Sequence, residues 1–256
     1  MKFLVIKSRH IKYFFLIVVC MILLAVSIDG VKSAQVFFGY SVKKTPIYCV
    51  DTTENKVAIS FDAAWGADKT KDIMENLKEY NANATFFLVG FWADKYGDMV
   101  KEIEKNGFEI GTHSNTHPDM TTLTKEKMIE ELDLSVEIIK KNYSKEINLF
   151  RAPYGAYNNT LLDVCEQKNL YPIQWDVDSL DWKGLSAEEI TSRITSSVKN
   201  GSIILCHNNS DHIVKALPMI LSRLKQMNYK VCSVGELIYK QNYTIDRNGV
   251  QISQGA

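Results

Sequence analysis

The chain has 256 residues, 46% of them apolar and 23% charged, the balance of a folded globular protein rather than a disordered or fibrous one. Lys plus Arg and Asp plus Glu stand at 30 each, so no charge excess marks a surface for nucleic acid or another polyanion. The length admits one large domain or two small ones.

Lys2, Lys7, Arg9 and Lys12 precede the uncharged run Tyr13 to Ile28, YFFLIVVCMILLAVSI. Basic residues ahead of such a run fit a secretory signal or a signal anchor, with Val31-Lys32-Ser33 as the cleavage context. Residues 1–33 are therefore expected to be an export segment that engages the membrane, leaving the body anchored outside it or secreted. Cys20 lies in this run, whereas Cys49, Cys165, Cys206 and Cys232 are scattered with no C-x-x-C pair. An exported chain can carry disulfides, but Cys206 and Cys232 sit inside apolar runs, which favours buried thiols.

Residues 34–54 read as an extended lead-in, after which strand-like and helix-like stretches alternate through residues 55–242. Strand 56–61 precedes helix 69–80, strand 84–89 precedes helix 92–106, and strand 108–111 leads by a loop to helix 125–142, capped by Thr124. Strand 147–150 precedes helix 158–168. Strand 171–176 precedes helix 187–199, opened by Ser186 with Glu189 in a capping-box pattern. Strand 202–206 precedes helix 212–227, and strand 230–234 leads to a short helix at 236–240. The tail, 243–256, is polar and reads as frayed. Near-continuous apolar strands alternating with helices mean a parallel sheet, either doubly wound or closed as a barrel. No G-x-G-x-x-G and no P-loop follows the first strand, which weakens a nucleotide-binding open sheet.

The polar residues fall at the strand ends: Asp62, His113 and His117, Arg151 with Pro153 and Tyr154, Asp176, Asp178, Asp181 and Trp182, and His207. In parallel α/β barrels these C-terminal ends converge on one site. A lone Asp at such a position is as readily a cap as a base, and a lone His as readily a core residue, so the grouping carries the reading. His113 and His117 can reach one cation if the segment turns helically. Arg151 can hold the Asp62 carboxylate in a fork, and the Pro-Tyr-Gly turn can offer a backbone N–H to an oxyanion. His207 can serve as general acid if one of the nearby aspartates orients it. Base, acid, candidate cation site and oxyanion donor together suit hydrolysis of an amide or ester. No G-x-S-x-G elbow or activated Cys points to a covalent route.

SFDAAWG (60–66), THSNTH (112–117), RAPYG (151–155), DSLDW (178–182) and LCH (205–207) resemble, in order, the five motifs of the polysaccharide deacetylases, the NodB-homology or carbohydrate esterase family 4 enzymes. The resemblance covers residues 55–240. It implies a distorted (β/α)7–8 barrel that removes acetyl groups from N-acetyl sugars with a divalent metal, usually zinc. It makes Asp62 the base, His113 and His117 metal ligands, Arg151 the residue orienting the base, and Asp181 the residue tuning His207, the acid. Tyr154 would contribute a backbone N–H, and Trp182 and Leu205 would line the pocket. One position departs from the pattern: the usual third metal ligand, an aspartate, is Ala63 here. The AAWG form is similar to sporulation-associated deacetylases, which implies peptidoglycan as substrate, a hydrolase acting on carbon–nitrogen bonds other than peptide bonds. The competing reading is a weakened or inactive member that binds glycan in an incomplete cleft.

Overall fold

The structure, a computed structural model, describes residues 9, 12–19 and 43–255. Residues 1–43 and 44–256 form separate units. In the first, residues 12–19 are helical. The rest of the apolar run, Cys20 included, and residues 34–42 of the expected lead-in lie outside the described residues. Among the described residues no helix is long and apolar enough to cross a membrane.

The second unit opens with β1 (Cys49–Val50) and β2 (Lys56–Ala63), then α1 (Thr70–Glu79), β3 (Thr85–Leu88), α2 (Gly90–Lys95), α3 (Gly97–Lys105) and β4 (Glu109–Thr112). It continues through α4 (Lys125–Lys140), β5 (Leu149–Phe150), α5 (Asn159–Gln167), β6 (Tyr171–Pro172), β7 (Val177–Asp178) and α6 (Ala187–Ser197). The last elements are β8 (Ile203–His207), α7 (Ile213–Gln226), β9 (Lys230–Cys232), α8 (Val234–Leu237), β10 (Tyr243–Ile245) and β11 (Val250–Ser253). The main sheet is parallel in the order β6-β5-β4-β3-β2-β8-β7, and β9 pairs with the first residues of β2.

This sheet curls into a distorted half-barrel, and one segment links its two edges. β6 bonds to β5 at one edge, and β7, only a few residues on, bonds to β8 at the other. The single strand expected over 171–176 is therefore two short pieces on opposite edges. Pro172 has no N–H to extend a ladder. The lead-in helps bridge the gap: Ile47 pairs with Ile173, and Cys49 forms a bridge with Ser202.

Both faces of the strands are covered, so both carry apolar side chains. Val57, Ile59, Phe61 and Ala63 of β2 belong to the cluster that packs against the helices, with Phe86, Ile110 and Ile204. Ala58, Phe87, Leu149, Ile203 and Cys232 form a second cluster that plugs the interior. Gly111 makes room for this plug, because a Cβ there would lie 2.6 Å from the Phe87 ring. Above the plug the interior positions turn polar with Ser60 and Asp62. Period-2 alternation thus sends acid and apolar plug to the same face of one strand.

The expected helix 92–106 is two helices, broken at Tyr96 (φ −117°, ψ 43°) before the poor helix former Gly97. Thr124 and Ser186 cap α4 and α6 as expected, the latter in a full box with Glu189, contributing about 1 kcal/mol per cap. A second box, Ser233 with Glu236, ends the last parallel strand earlier than its apolar run suggests and starts α8 at Val234. Cys49, Cys165, Cys206 and Cys232 are buried free thiols.

The tail is folded, not frayed. β10 and β11 form a hairpin, and β11 lies parallel to β1. Asp246 Oδ1 accepts from the N–H groups of Asn248 and Val250, and Gly249 supplies the left-handed residue of the turn (φ 81°). Gln251, fully buried, exchanges two hydrogen bonds with the Tyr239 backbone, so a polar residue anchors the hairpin.

Candidate active site

β2 ends the deepest part of the site. Asp62 lies opposite His207 of β8 in the register, so two distant segments place their polar residues side by side. Asp62 is only 7% exposed, and Arg151 not at all. Arg151 follows β5 and donates from Nη1 to Asp62 Oδ1 at 2.8 Å and to Ser60 Oγ at 2.8 Å. Its Nη2 donates to Gln174 O at 3.2 Å, and its guanidinium lies over the Phe87 ring at 4.2 Å. Nη1 and Nη2 are therefore bonded, the Phe87 and Trp175 rings both lie against the guanidinium, and Asp62 Oδ2 is left unclaimed by Arg151. Burial alone would push the Asp62 carboxyl up, but the Arg151 charge, followed by His113 and His207, holds it below its ordinary value.

His207 forms the second pair. Its Nδ1 is 2.7 Å from Asp181 Oδ1, and its backbone N–H donates to Asp181 Oδ2 at 2.8 Å. Asp181 is 1% exposed and held by its own N–H to Ser179 Oγ. Burial disfavours the imidazolium, yet the Asp181 hydrogen bond and charge outweigh it, so the His207 pKa is raised. Asp181 is thus the aspartate that orients the imidazole. Asp176 instead accepts from Ser202 Oγ and the Ile203 N–H. Asp178 accepts from the Leu180 N–H and lines the cavity.

His113 and His117 come together, but not on a helical turn. The segment after β4 bends through left-handed residues Ser114 (φ 67°) and His117 (φ 60°), bringing the imidazole centroids to 4.9 Å. Glu131 of α4 shapes this bend by accepting from the N–H groups of Asn115 and Thr116 and from Thr116 Oγ1. His113 Nδ1 donates to Arg151 O at 2.7 Å, so Nε2 presents its lone pair, 3.5 Å from Asp62 Oδ2. His117 packs edge-on to Tyr154 and Trp65, and its buried Nδ1 has no hydrogen-bond partner among the described residues. Burial lowers both imidazole pKa values, that of His117 to about 4, so both rings are neutral near pH 7.

Tyr154 takes a left-handed conformation (φ 59°, ψ 6°) in a turn closed by the N–H groups of Gly155 and Ala156. Its ring is 70% exposed at the mouth, as are those of Trp182 (60%) and Trp65 (62%). These three, with Leu205 below, line a cavity of about 700 Å³ that contains Asp62, His113, His117, Asp181 and His207. Of the residues singled out from the sequence, Asp62, His113, His117, Tyr154, Asp178, Asp181, Trp182, Leu205 and His207 line this cavity, whereas Arg151 lies beneath Asp62 and Pro153 and Asp176 stay outside the lining. Sequence reasoning missed Ser60, Glu131, Gln174 and the wall residue Trp65. Trp65 alone had a visible signal, an aromatic next to the glycine corner.

Residues 50–173 match the family model for polysaccharide deacetylase. A peptidoglycan-N-acetylglucosamine deacetylase of Bacillus cereus is 33% identical over 174 residues, 66% of this chain and 63% of that protein. A second B. cereus protein of the same description is 30% identical over 194 residues, 74% of this chain and 91% of its own length. The chain belongs to the polysaccharide deacetylase family. It thus spans less than two thirds of the first of these relatives and nearly all of the second. In structure it resembles a carbohydrate esterase family 4 pseudoenzyme from Bacillus anthracis, with a TM-score of 0.74 at 28% identity over 78% of this chain and 70% of that one. A mutant of that pseudoenzyme is described as having restored enzymatic activity.

Family deacetylases generally use a metal ion, and the donors here can be tested for one. His113 is built as a ligand: its Nδ1–H is held by a carbonyl and its Nε2 is free toward the cavity. His117 is neutral but has no such orienting partner. Ala63 is fully buried, packs in the outer cluster and does not line the cavity, although Ala64 does. Among the described residues no group of three His, Cys, Asp or Glu is arranged to hold a metal. Catalytic zinc ordinarily takes three protein ligands, and these residues do not make up that set.

Proposed function

We propose that this polysaccharide deacetylase removes acetyl groups from N-acetyl sugars of peptidoglycan, acting as a carbon–nitrogen bond hydrolase. The single observation that carries the reading is the pairing of Asp62 with Arg151 and of His207 with Asp181 across one cavity. One pair favours the ionised form of a buried carboxylate and the other raises the pKa of an imidazole, the directions that a base and an acid on either side of an amide require. Asp62 Oδ2 and His113 Nε2 are both acceptors and flank the place where a water would be held. Asp62 takes the proton as that water attacks the acetyl carbonyl. The Tyr154 N–H stabilises the oxyanion. His207 then protonates the leaving nitrogen, with Asp181 stabilising the imidazolium. Tyr154, Trp182 and Leu205 shape the sugar pocket. Support for peptidoglycan comes from the two B. cereus relatives described as peptidoglycan-N-acetylglucosamine deacetylases.

Acetate release from peptidoglycan and from chitooligosaccharide tests this directly. The Asp62→Asn variant is expected to lose at least ~100-fold, the scale of general-base loss; undiminished release would overturn the mechanism. A second reading, glycan binding without turnover, is favoured by one observation, the missing third ligand at Ala63. Bound glycan with no acetate, with or without added zinc or cobalt, would establish it. The basic residues ahead of Tyr13–Ile28 support an exported protein, anchored or secreted, with a role in the spore wall as the narrower proposal. Localisation of the full chain by fractionation checks that proposal.

A further inference from the structure

The segment 171–178, which crosses between the two edges of the sheet, carries a buried polar residue that no step of the proposed reaction uses. Gln174 is 3% exposed, and a buried amide is costly unless its groups are bonded. Its backbone N–H donates to Ile47 O at 2.7 Å, so the lead-in holds it from one side. Its backbone O accepts from Arg151 Nη2 at 3.2 Å. Its side-chain Nε2 donates to Gly155 O at 3.0 Å. The main chain of this residue thus serves Arg151, and its side chain serves the turn after Arg151.

That turn has a costly geometry. The Ala156 N–H donates to Pro153 O at 3.1 Å, and both residues between them are left-handed, Tyr154 at φ 59° and Gly155 at φ 66°. For Tyr154 the conformation crowds Cβ against the backbone, and it persists only where the surroundings hold it. Gly155 and Ala156 spend their N–H groups on closing the turn, whereas the Tyr154 N–H donates to nothing among the described residues. Upstream the segment is anchored at Arg151, whose N–H donates to Thr112 O and whose O accepts from His113 Nδ1. Downstream, the last carbonyl of the turn is held by Gln174 Nε2. Release of that carbonyl lets Tyr154 relax to negative φ, which re-aims its N–H.

We infer that Gln174 is a positioning residue for the oxyanion donor, its buried amide holding the 153–155 turn in the left-handed form that presents the Tyr154 N–H. This rests on the proposed deacetylase reaction, in which that N–H meets the acetyl oxygen as it gains charge. Gln174 does not line the cavity and acts only through Tyr154. A donor aimed at an oxyanion stabilises the tetrahedral state more than the planar amide, so the Gln174 side chain governs turnover and not substrate binding.

Gln174→Met removes the donor at similar side-chain length and leaves the backbone carbonyl for Arg151. With N-acetylglucosamine tetramer as substrate, kcat is expected to fall about ten- to hundred-fold while KM stays within about three-fold. Gln174→Asn, whose amide is one methylene short of Gly155 O, should show the same split. A second measurement needs no turnover: calorimetry with the tetramer and with its methylphosphonamidate analogue, whose tetrahedral anionic group stands in for the oxyanion. Both variants should lose about ten-fold or more in affinity for the analogue and keep their affinity for the tetramer. Equal losses for the two ligands, or a fall in kcat matched by a rise in KM, would make Gln174 a merely structural residue and overturn the inference. Unchanged kcat and analogue affinity overturn it too, and so do two variants that urea titration shows to be unfolded. Selective loss of the analogue in a chain that releases no acetate upholds the positioning role while overturning the deacetylase reading. A wild-type chain that binds neither ligand overturns both.

Discussion

Two halves of the same cavity are built to different standards. On one side, Asp62 and His207 each have a buried, oppositely charged partner that is itself bonded elsewhere: Arg151 to Ser60 and Gln174, Asp181 to Ser179. On the other, His113 and His117 lie together, but among the described residues one lacks an orienting partner and no third ligand joins them. Buried ions are costly unless paired and bonded, so each ionised group of the acid–base half depends on its partner, although the buried Arg151 Nε has no hydrogen-bond partner among the described residues. The imidazole half is neutral, asks for no counter-charge, and can lose a ligand at little cost to the fold. Chemistry and metal binding are therefore separable properties of this site.

The comparison can be broken most forcefully at Arg151. Arg151→Ala leaves the Asp62 carboxylate buried without its cation, and we expect a loss of about 3–5 kcal/mol in unfolding free energy, measured by urea titration. Removing the imidazole with His117→Ala should cost far less in the same titration; equal losses would show that the two halves do not differ. A smaller effect tests the vacant ligand position. Loss of an orienting partner alone changes metal affinity by 10–100-fold, so Ala63→Asp should strengthen zinc binding by at least about ten-fold in calorimetry. No gain would show that the outward packing of residue 63 in the core prevents its carboxylate from reaching the His pair.

The mildest change concerns pH. Asp181 raises the His207 pKa, so the acid is in its working form below that raised value and is lost as pH climbs through it. Asp181→Asn should move the alkaline limb of acetate release to lower pH and leave the acid limb, set by Asp62, where it was. An unmoved alkaline limb would remove His207 from the role of acid. The same pair contributes stability below the unfolded His pKa and loses it as pH rises through the folded one, so the variant should narrow that stability difference.

Much of the site was legible because each functional residue follows an apolar run, and a run followed by a polar residue marks a strand end without any knowledge of partners. Asp62, Arg151 and His207 are visible in this way. Glu131 was not, because it looks like any acid on an exposed helix face, and its work on the 114–117 bend depends on how α4 crosses β4. The helical spacing of His113 and His117 suggested the right meeting by the wrong geometry, since positive φ angles at Ser114 and His117 leave no mark in composition. The C-terminal hairpin was missed because its strands are short and polar, although the Asp246 to Gly249 turn was present to be read.

By itself, then, the sequence determined the alternation of strands and helices, the helix caps and the side chains delivered to strand ends, because these follow from periodicity and local hydrogen bonding. Only the tertiary structure decided how the pairs are made: Asp62 and Arg151, 89 residues apart and expected to meet in a fork, are brought by sheet order to a single Nη1–Oδ1 bond. It also decided how the two sheet edges are linked. The segment 171–178 changes edges within a few residues, and no local preference dictates which neighbour a strand will find. The same holds for Ala63, whose position faces the helix-packed core and whose Asp neighbour faces the cavity, a division set by the pleat of β2 within the curled sheet.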